Sequence, residues 1–286
     1  MYRALLAFAF LSGAWGTAER VATIIDSDLT ESSGVAASRR YPGLYWTHND
    51  SGDGPRVFLF GLDGRIRSKI TVAAAGAVDW EDIAVGPGPK RGTTYPYAGD
   101  IGDNDRTRAQ VQVYRLPEPP MEGPPPRAET FRFRYPDGPH DAEALLIHPA
   151  SGDLYIVTKA RGNDTETLVF KAKAPQRSGT LTTLTEVTQL HIPGESPLML
   201  LIGRVTGGDI APDGRRLILC DYQRGWEYTL SAGATDFDKI WSTEPQPVDL
   251  GARKQGEGVC YRLDGQAVLS TSEGTPMLVF ETRRLP

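Results

Sequence analysis

Cysteine is nearly missing from this 286-residue chain: only Cys220 and Cys260 occur, which leaves room for one intramolecular disulfide or for two small buried hydrophobes. A large excess of charge is missing too. The net charge of −5 gives no electrostatic footprint for a nucleic-acid polymer. Apolar stretches long enough to cross a bilayer are also lacking, because the run ALLAFAFLSGAWG after Arg3 is short and carries Ser12, Gly13 and Gly16. That run reads as the core of a signal peptide, with Gly16 and Ala18 as the small residues before a cut after Ala18. The expected organisation is a leader over 1–18 and one domain over 19–286, secreted or periplasmic, monomeric and without a membrane span after processing. No cysteine follows the cut, so lipid attachment there is not expected. The GxSxG elbow, HExxH and the Walker loop are absent, and GPGPKRGT at 86–93 lacks the Walker spacing.

Amphipathic helix patterns are lacking as well, and short strand patterns take their place. Five phrases open on a polar residue followed by apolar ones: Ser33 in SGVAA, Glu81 in EDIAV, Glu143 in EALLI, Asp209 in DIAP and Glu257 in EGVCY. Each is answered by a returning strand, LYWTHND, YPYAGD, LYIVTK, LILCD or VLSTSE, and then by a third, RVFLF, VQVYRL, TLVFKA, WEYTL or MLVFE. The first members stand 48, 62, 66 and 48 residues apart, the size of propeller blades with loop insertions. The fold expected is an all-β, five-bladed β-propeller, with a six-bladed ring as the alternative. VATIID at 21–26 is a strand without a blade, and it would complete the last one, whose own segment ends after three strands. The proline-rich LPEPPMEGPPPRAE reads as a stiff connection inside the second blade, before FRFRY resumes the outer strand.

Equivalent positions on the innermost strands of a propeller converge on one axis. Ser33, Glu81, Glu143, Asp209 and Glu257 would then form a ring of oxygens, and four crowded carboxylates call for protons or a cation. Calcium suits an all-oxygen set of irregular geometry, whereas zinc or copper would recruit His or Cys. Each acid could instead accept backbone N–H groups at the inner end of its blade. NDSGDG at 49–54 begins like an EF-hand loop, but Phe60 stands where the bidentate Glu belongs. The returning strands end on a second set, Asp50, Asp100, Lys159, Asp221 and Glu273, with Asn49, Arg161 and Arg224 on adjoining loops and His48 and His140 nearby. Basic groups beside a cation would hold a phosphate or carboxylate, while Asp50 or Asp100 would orient water and Lys159 would steady an anionic group.

The phrases SGVAAS with LYWTHNDSG, DWEDIAV with YAGDIGDN, HDAEALLI with LYIVTKARG, and QGEGVCY resemble the calcium-dependent apyrases. The resemblance implies a five-bladed propeller with calcium in the central channel, its ligand positions falling on Ser33, Glu81, Glu143, Asp209 and Glu257. Asp209 stands where that family is expected to carry serine. The phrases E-x-IA and E-x-L-L are also similar to phytase-like and esterase-like secreted bacterial propellers, and more loosely to calcium lactonases, while DWEDIAV with GDIGDN resembles a secreted bacterial propeller family of unassigned activity. Two functions are expected from these residues. One is a calcium-dependent hydrolase of phosphate esters or anhydrides, with lactones or esters as less favoured substrates, acting on a small anionic ligand. The other is a non-catalytic extracellular module that binds a partner around a structural calcium.

Overall fold

The structure is a computed structural model, and it describes residues 15–124, 126–160, 166–191 and 205–286. The first strand, β1 (Glu19–Ile24), is followed by blade 1, made of β2 (Ser32–Ala37), β3 (Leu44–Asn49), β4 (Arg56–Gly61) and β5 (Ile66–Thr71). Blade 2 consists of β6 (Trp80–Pro87), β7 (Thr94–Asp100), β8 (Val111–Arg115) and β9 (Glu129–Arg134). Blade 3 consists of β10 (Ala142–Ile147), β11 (Leu154–Thr158), β12 (Thr167–Ala172) and β14 (Thr185–Leu190), while the short β13 (Leu181–Thr183) adds in parallel to β9. Blade 4 is β15 (Gly207–Ile210), β16 (Arg216–Cys220), β17 (Arg224–Thr229) and β18 (Gln246–Asp249). Blade 5 is β19 (Gly256–Tyr261), β20 (Ala267–Ser272) and β21 (Met277–Arg283), and β1 completes it. Among the described residues the chain is therefore an all-β, five-bladed propeller, with one 3-10 turn at Phe237–Ser242 and no sixth blade.

Closure comes from the two ends of the chain. β1 runs antiparallel to β21, with Glu19 opposite Glu281 and Ile24 opposite Met277, so the outer edge of blade 5 is covered. The blades pack face to face, and both faces of each central strand are buried. In β4 Val57 and Leu59 pack toward blade 2, whereas Phe58 and Phe60 pack toward blade 5. In β16 Leu217 and Leu219 face blade 3, whereas Ile218 and Cys220 face blade 5. This period-two sorting explains the continuous apolar runs of the central strands.

It also decides the cysteines. Cys220 lies between blades 4 and 5 with Val259 and Tyr261, but Cys260 turns to the opposite face of its own blade, beside Val35 and Tyr45. Both are free, so the disulfide alternative is not realised and the buried-hydrophobe reading holds. Burial pushes the Cys220 thiol up to about 12 and raises Cys260 well above its ordinary value.

Candidate functional site

The inner strands do not enter the channel smoothly. In blades 1, 2, 3 and 5 their register slips at the ring position: between Ser32 and Val35, Trp80 and Asp82, Ala142 and Ala144, and Gly256 and Val259. A bulge re-aims the side chain it carries, and here it falls at Ser33, Glu81, Glu143 and Glu257. Blade 4 has no slip: Gly207, Gly208, Asp209 and Ile210 pair in sequence with β16.

Asp209 therefore does not join the ring. Its Oδ1 accepts from Ile210 N at 2.8 Å and its Oδ2 from Tyr261 N of the next blade at 2.8 Å. Asp82 makes the same pair of bonds, to Ile83 N at 2.8 Å and Leu145 N at 2.9 Å. Asp209 is thus the counterpart of Asp82 in D-I-A, and Gly208 holds the ring position of blade 4. Asp209 lines a cavity of about 20 Å³ with Ala36, Arg39, Val85 and Tyr261, away from the glutamates. Burial raises Asp209 to about 7 and Asp82 well above the ordinary range.

Asp100 is displaced in the same sense. The backbone N–H of Asp50 donates to Glu31 O, that of Lys159 to Asp141 O and that of Glu273 to Gln255 O, so these three share one position. In blade 2 the equivalent bond to Asp79 O comes from Gly102, while Asp100 pairs with Trp80 as Asn49 pairs with Ser32. Asn49 Oδ1 accepts from Thr30 N at 3.0 Å and Glu31 N at 3.1 Å; the Asp100 carboxylate accepts from Val78 N at 3.3 Å and Asp79 N at 3.0 Å. Asp100 also pairs with Arg108 at 2.8 Å. Both are loop clamps, with their polar atoms spent on the chain itself. Asp221 Oδ1 likewise caps its own turn, accepting from Gln223 N and Arg224 N, each at 2.7 Å, and Arg224 is exposed. Arg161 lies outside the described residues. His48 is buried in edge contact with Trp80, and His140 pairs with Asp137.

What does converge is a tight acidic group at the bulged end of the channel. Asp50, Asp79 and Glu81 offer oxygens within 4.8 Å of one another, and so do Glu81, Asp141 and Glu143. Glu81 belongs to both sets. Ser33 Oγ donates to Glu81 O at 2.7 Å, holding the neighbouring strand by its backbone. Lys159 Nζ sits 2.7 Å from Glu143 Oε1 and donates to Tyr222 Oη at 2.9 Å. Asp141 Oδ1 accepts from Asp103 N at 2.9 Å, which orients it. Gly102 makes the crowding possible: a Cβ there would lie 2.2 Å from Glu81 Oε1 and 2.5 Å from Asp79 Oδ2.

The electrostatics follow from this crowding. Burial, and then repulsion from Glu143, Asp50 and Asp79, drives Glu81 well above the usual carboxylate range. Burial and then Asp50 raise Asp79 to about 6, and the same two causes raise Glu273 to about 7. Glu257 is raised well above its ordinary value by burial and then by Glu143, and its buried Oε2 has no hydrogen-bond partner among the described residues. Burial opposes the charge of Lys159, but Glu143 and Glu257 outweigh it and hold the ammonium firmly protonated. The structure thus brings together Glu81, Glu143, Asp50 and Lys159 of the expected residues, with Glu257 and Glu273 near enough for their charges to be felt, and adds Asp79, Asp141 and Tyr222. The first two additions were visible as D-x-E, in Asp79-Trp80-Glu81 and Asp141-Ala142-Glu143.

Fold and site together define a five-bladed propeller with a buried acidic centre at one end of its channel. Comparison with protein families finds no match, and comparison with curated proteins finds none. Among solved structures the chain is similar to a gluconolactonase from Xanthomonas campestris, with 15% identity and a TM-score of 0.47 over 92% of this chain and 89% of that one. A likeness at that level does not transfer an activity.

Proposed function

We propose that this acidic centre binds a divalent cation, calcium in the first instance, and that the protein is an exported metal-dependent hydrolase of small anionic substrates, phosphate esters or anhydrides. The observation that carries the reading is the pair of oxygen triads sharing Glu81, packed where Gly102 leaves no room for a Cβ. The donor set is all oxygen, which fits calcium better than zinc or copper. Asp50, Asp79, Glu81, Asp141 and Glu143 would hold the ion, which when bound would polarise an ester or phosphoryl oxygen. Lys159 keeps its positive charge between Glu143 and Glu257, so it lowers the repulsion among the ligands and offers a cation to an anionic substrate. Asp50 is only partly buried, unlike Glu81, Asp141 and Glu143, and is the residue assigned to orient water.

A second reading, a non-catalytic extracellular binding module, is favoured by one observation: Asp100, Asn49 and Asp221 spend their polar atoms on internal bonds. One experiment separates the two. The purified protein is analysed for metal and screened against nucleotides, phosphomonoesters, esters and lactones, with calcium and with chelator. Chelator-sensitive turnover that is lost in Asp50→Asn supports the hydrolase. Bound calcium without turnover on any of these supports the module, and no calcium at all removes the basis of both.

A further inference from the structure

Four residues of the expected leader are built into the propeller. Trp15 is buried and belongs to the core between blades 4 and 5, with Ile218, Val248 and Tyr261. Its Nε1 donates to Glu227 Oε2 at 3.1 Å, and the Arg284 guanidinium lies 4.5 Å from its ring centroid. Its backbone pairs with Arg284, Gly16 N donates to Arg283 O at 2.8 Å, and Ala18 N donates to Asp249 Oδ2 at 2.9 Å. The segment thus extends β1 along the end of β21. Glu227 is the hub beneath it: the carboxylate is buried and is also met by Tyr261 Oη at 2.8 Å and by Arg284. A cut after Ala18 would uncover this hub and remove an aromatic side chain from the core.

From this packing we infer that the leader is removed four residues earlier, between Ala14 and Trp15, so that Trp15 is the first residue of the exported protein. The inference rests on the export reading. Ser12 and Ala14 supply small residues three and one before that bond, and Ala4–Leu11 is an apolar core behind Arg3. The step is hydrolysis by a membrane-bound signal peptidase: water adds to the Ala14 carbonyl carbon, the C–N bond to Trp15 breaks, and the products are the Ala14 carboxylate and the Trp15 α-ammonium. The four residues kept then stay as the terminal part of blade 5.

The full chain is expressed in a bacterial host with an intact export pathway, and the exported protein is read by N-terminal sequencing and intact mass. A chain beginning at Trp15 is the expected result. A chain beginning at Glu19, at any other internal residue, or exported with Met1 still in place overturns this cut while leaving export standing; a chain that carries Met1 and stays in the cytoplasm overturns export and the cut together. Ala14→Lys should block processing and Ala18→Lys should leave it unchanged, and the opposite pattern sinks the inference. On the exported protein, Trp15→Ala should lower Tm by roughly 5–10 °C, whereas Thr17→Ala, exposed in the same segment, should not move it. An unchanged Tm in Trp15→Ala would show that the segment is not part of the fold.

Discussion

At the residue scale, Glu81 is the pivot because its carboxylate is common to both oxygen triads. Glu81→Gln is expected to weaken calcium binding at least tenfold and to abolish the calcium-induced rise in Tm, read by calorimetry with and without chelator. Gly102→Ala should do the same without changing a ligand, since its Cβ would press on Glu81 and Asp79 at 2.2 and 2.5 Å. Unaltered calcium affinity in Gly102→Ala would show that the packing there does not shape the centre. Asp100 separates structure from chemistry. Asp100→Ala leaves Arg108 without its carboxylate and frees two backbone donors, so it should cost about 3 kcal/mol in urea unfolding, equally with calcium and with chelator. A loss confined to the calcium-loaded protein would return Asp100 to the cation.

At the element scale, the bulge is the device that brings an inner-strand carboxylate into the acidic centre. Without it, Glu81 and Asp82 would keep strict alternation; with it, Glu81 reaches the acidic centre while Asp82 binds the next blade through Leu145 N. Blade 4, unbulged and with Gly208 at the ring position, contributes no carboxylate there. The closing strand is the other element with a measurable share. Ile24 is 1% exposed and packs between blades 5 and 1, so Ile24→Ala should cost about 3 kcal/mol, measured by denaturant unfolding. A cost below about 0.5 kcal/mol would mean that β1 adds little to closure.

At the scale of the whole molecule, a cation-free propeller holds carboxylates whose folded pKa values exceed their unfolded ones: Asp79 at about 6, Glu273 and Asp209 at about 7. The folded state then binds more protons than the unfolded chain between roughly pH 4 and 7. The stability contributed by these groups is present below about pH 4 and is lost as the pH rises through 7. Calcium would take the place of the protons at Asp79, but not at Asp209, which lies away from the centre. With chelator, Tm should fall between pH 5 and 8; with calcium the fall should be smaller and not vanish. A calcium-independent slope would detach the titration from cation binding.

The sequence by itself determined the propeller, the order of its five repeated phrases and the closure by β1, because each blade needs a run of apolar residues that bury both faces; the structure settled five blades against the six-bladed alternative. It also carried Glu81, Glu143 and Glu257, each the polar residue that opens its phrase. Only the tertiary structure decided the registers. A one-residue slip exchanges the faces of a strand, so Asp209 and Asp100 look like ring members in the text and prove to be backbone clamps once Tyr261 N and Arg108 are in place. The same holds for Asp79 and Asp141, which reach the centre only because neighbouring blades bring D-x-E segments together, and for Cys220 and Cys260, which a propeller sorts onto different faces of its blades.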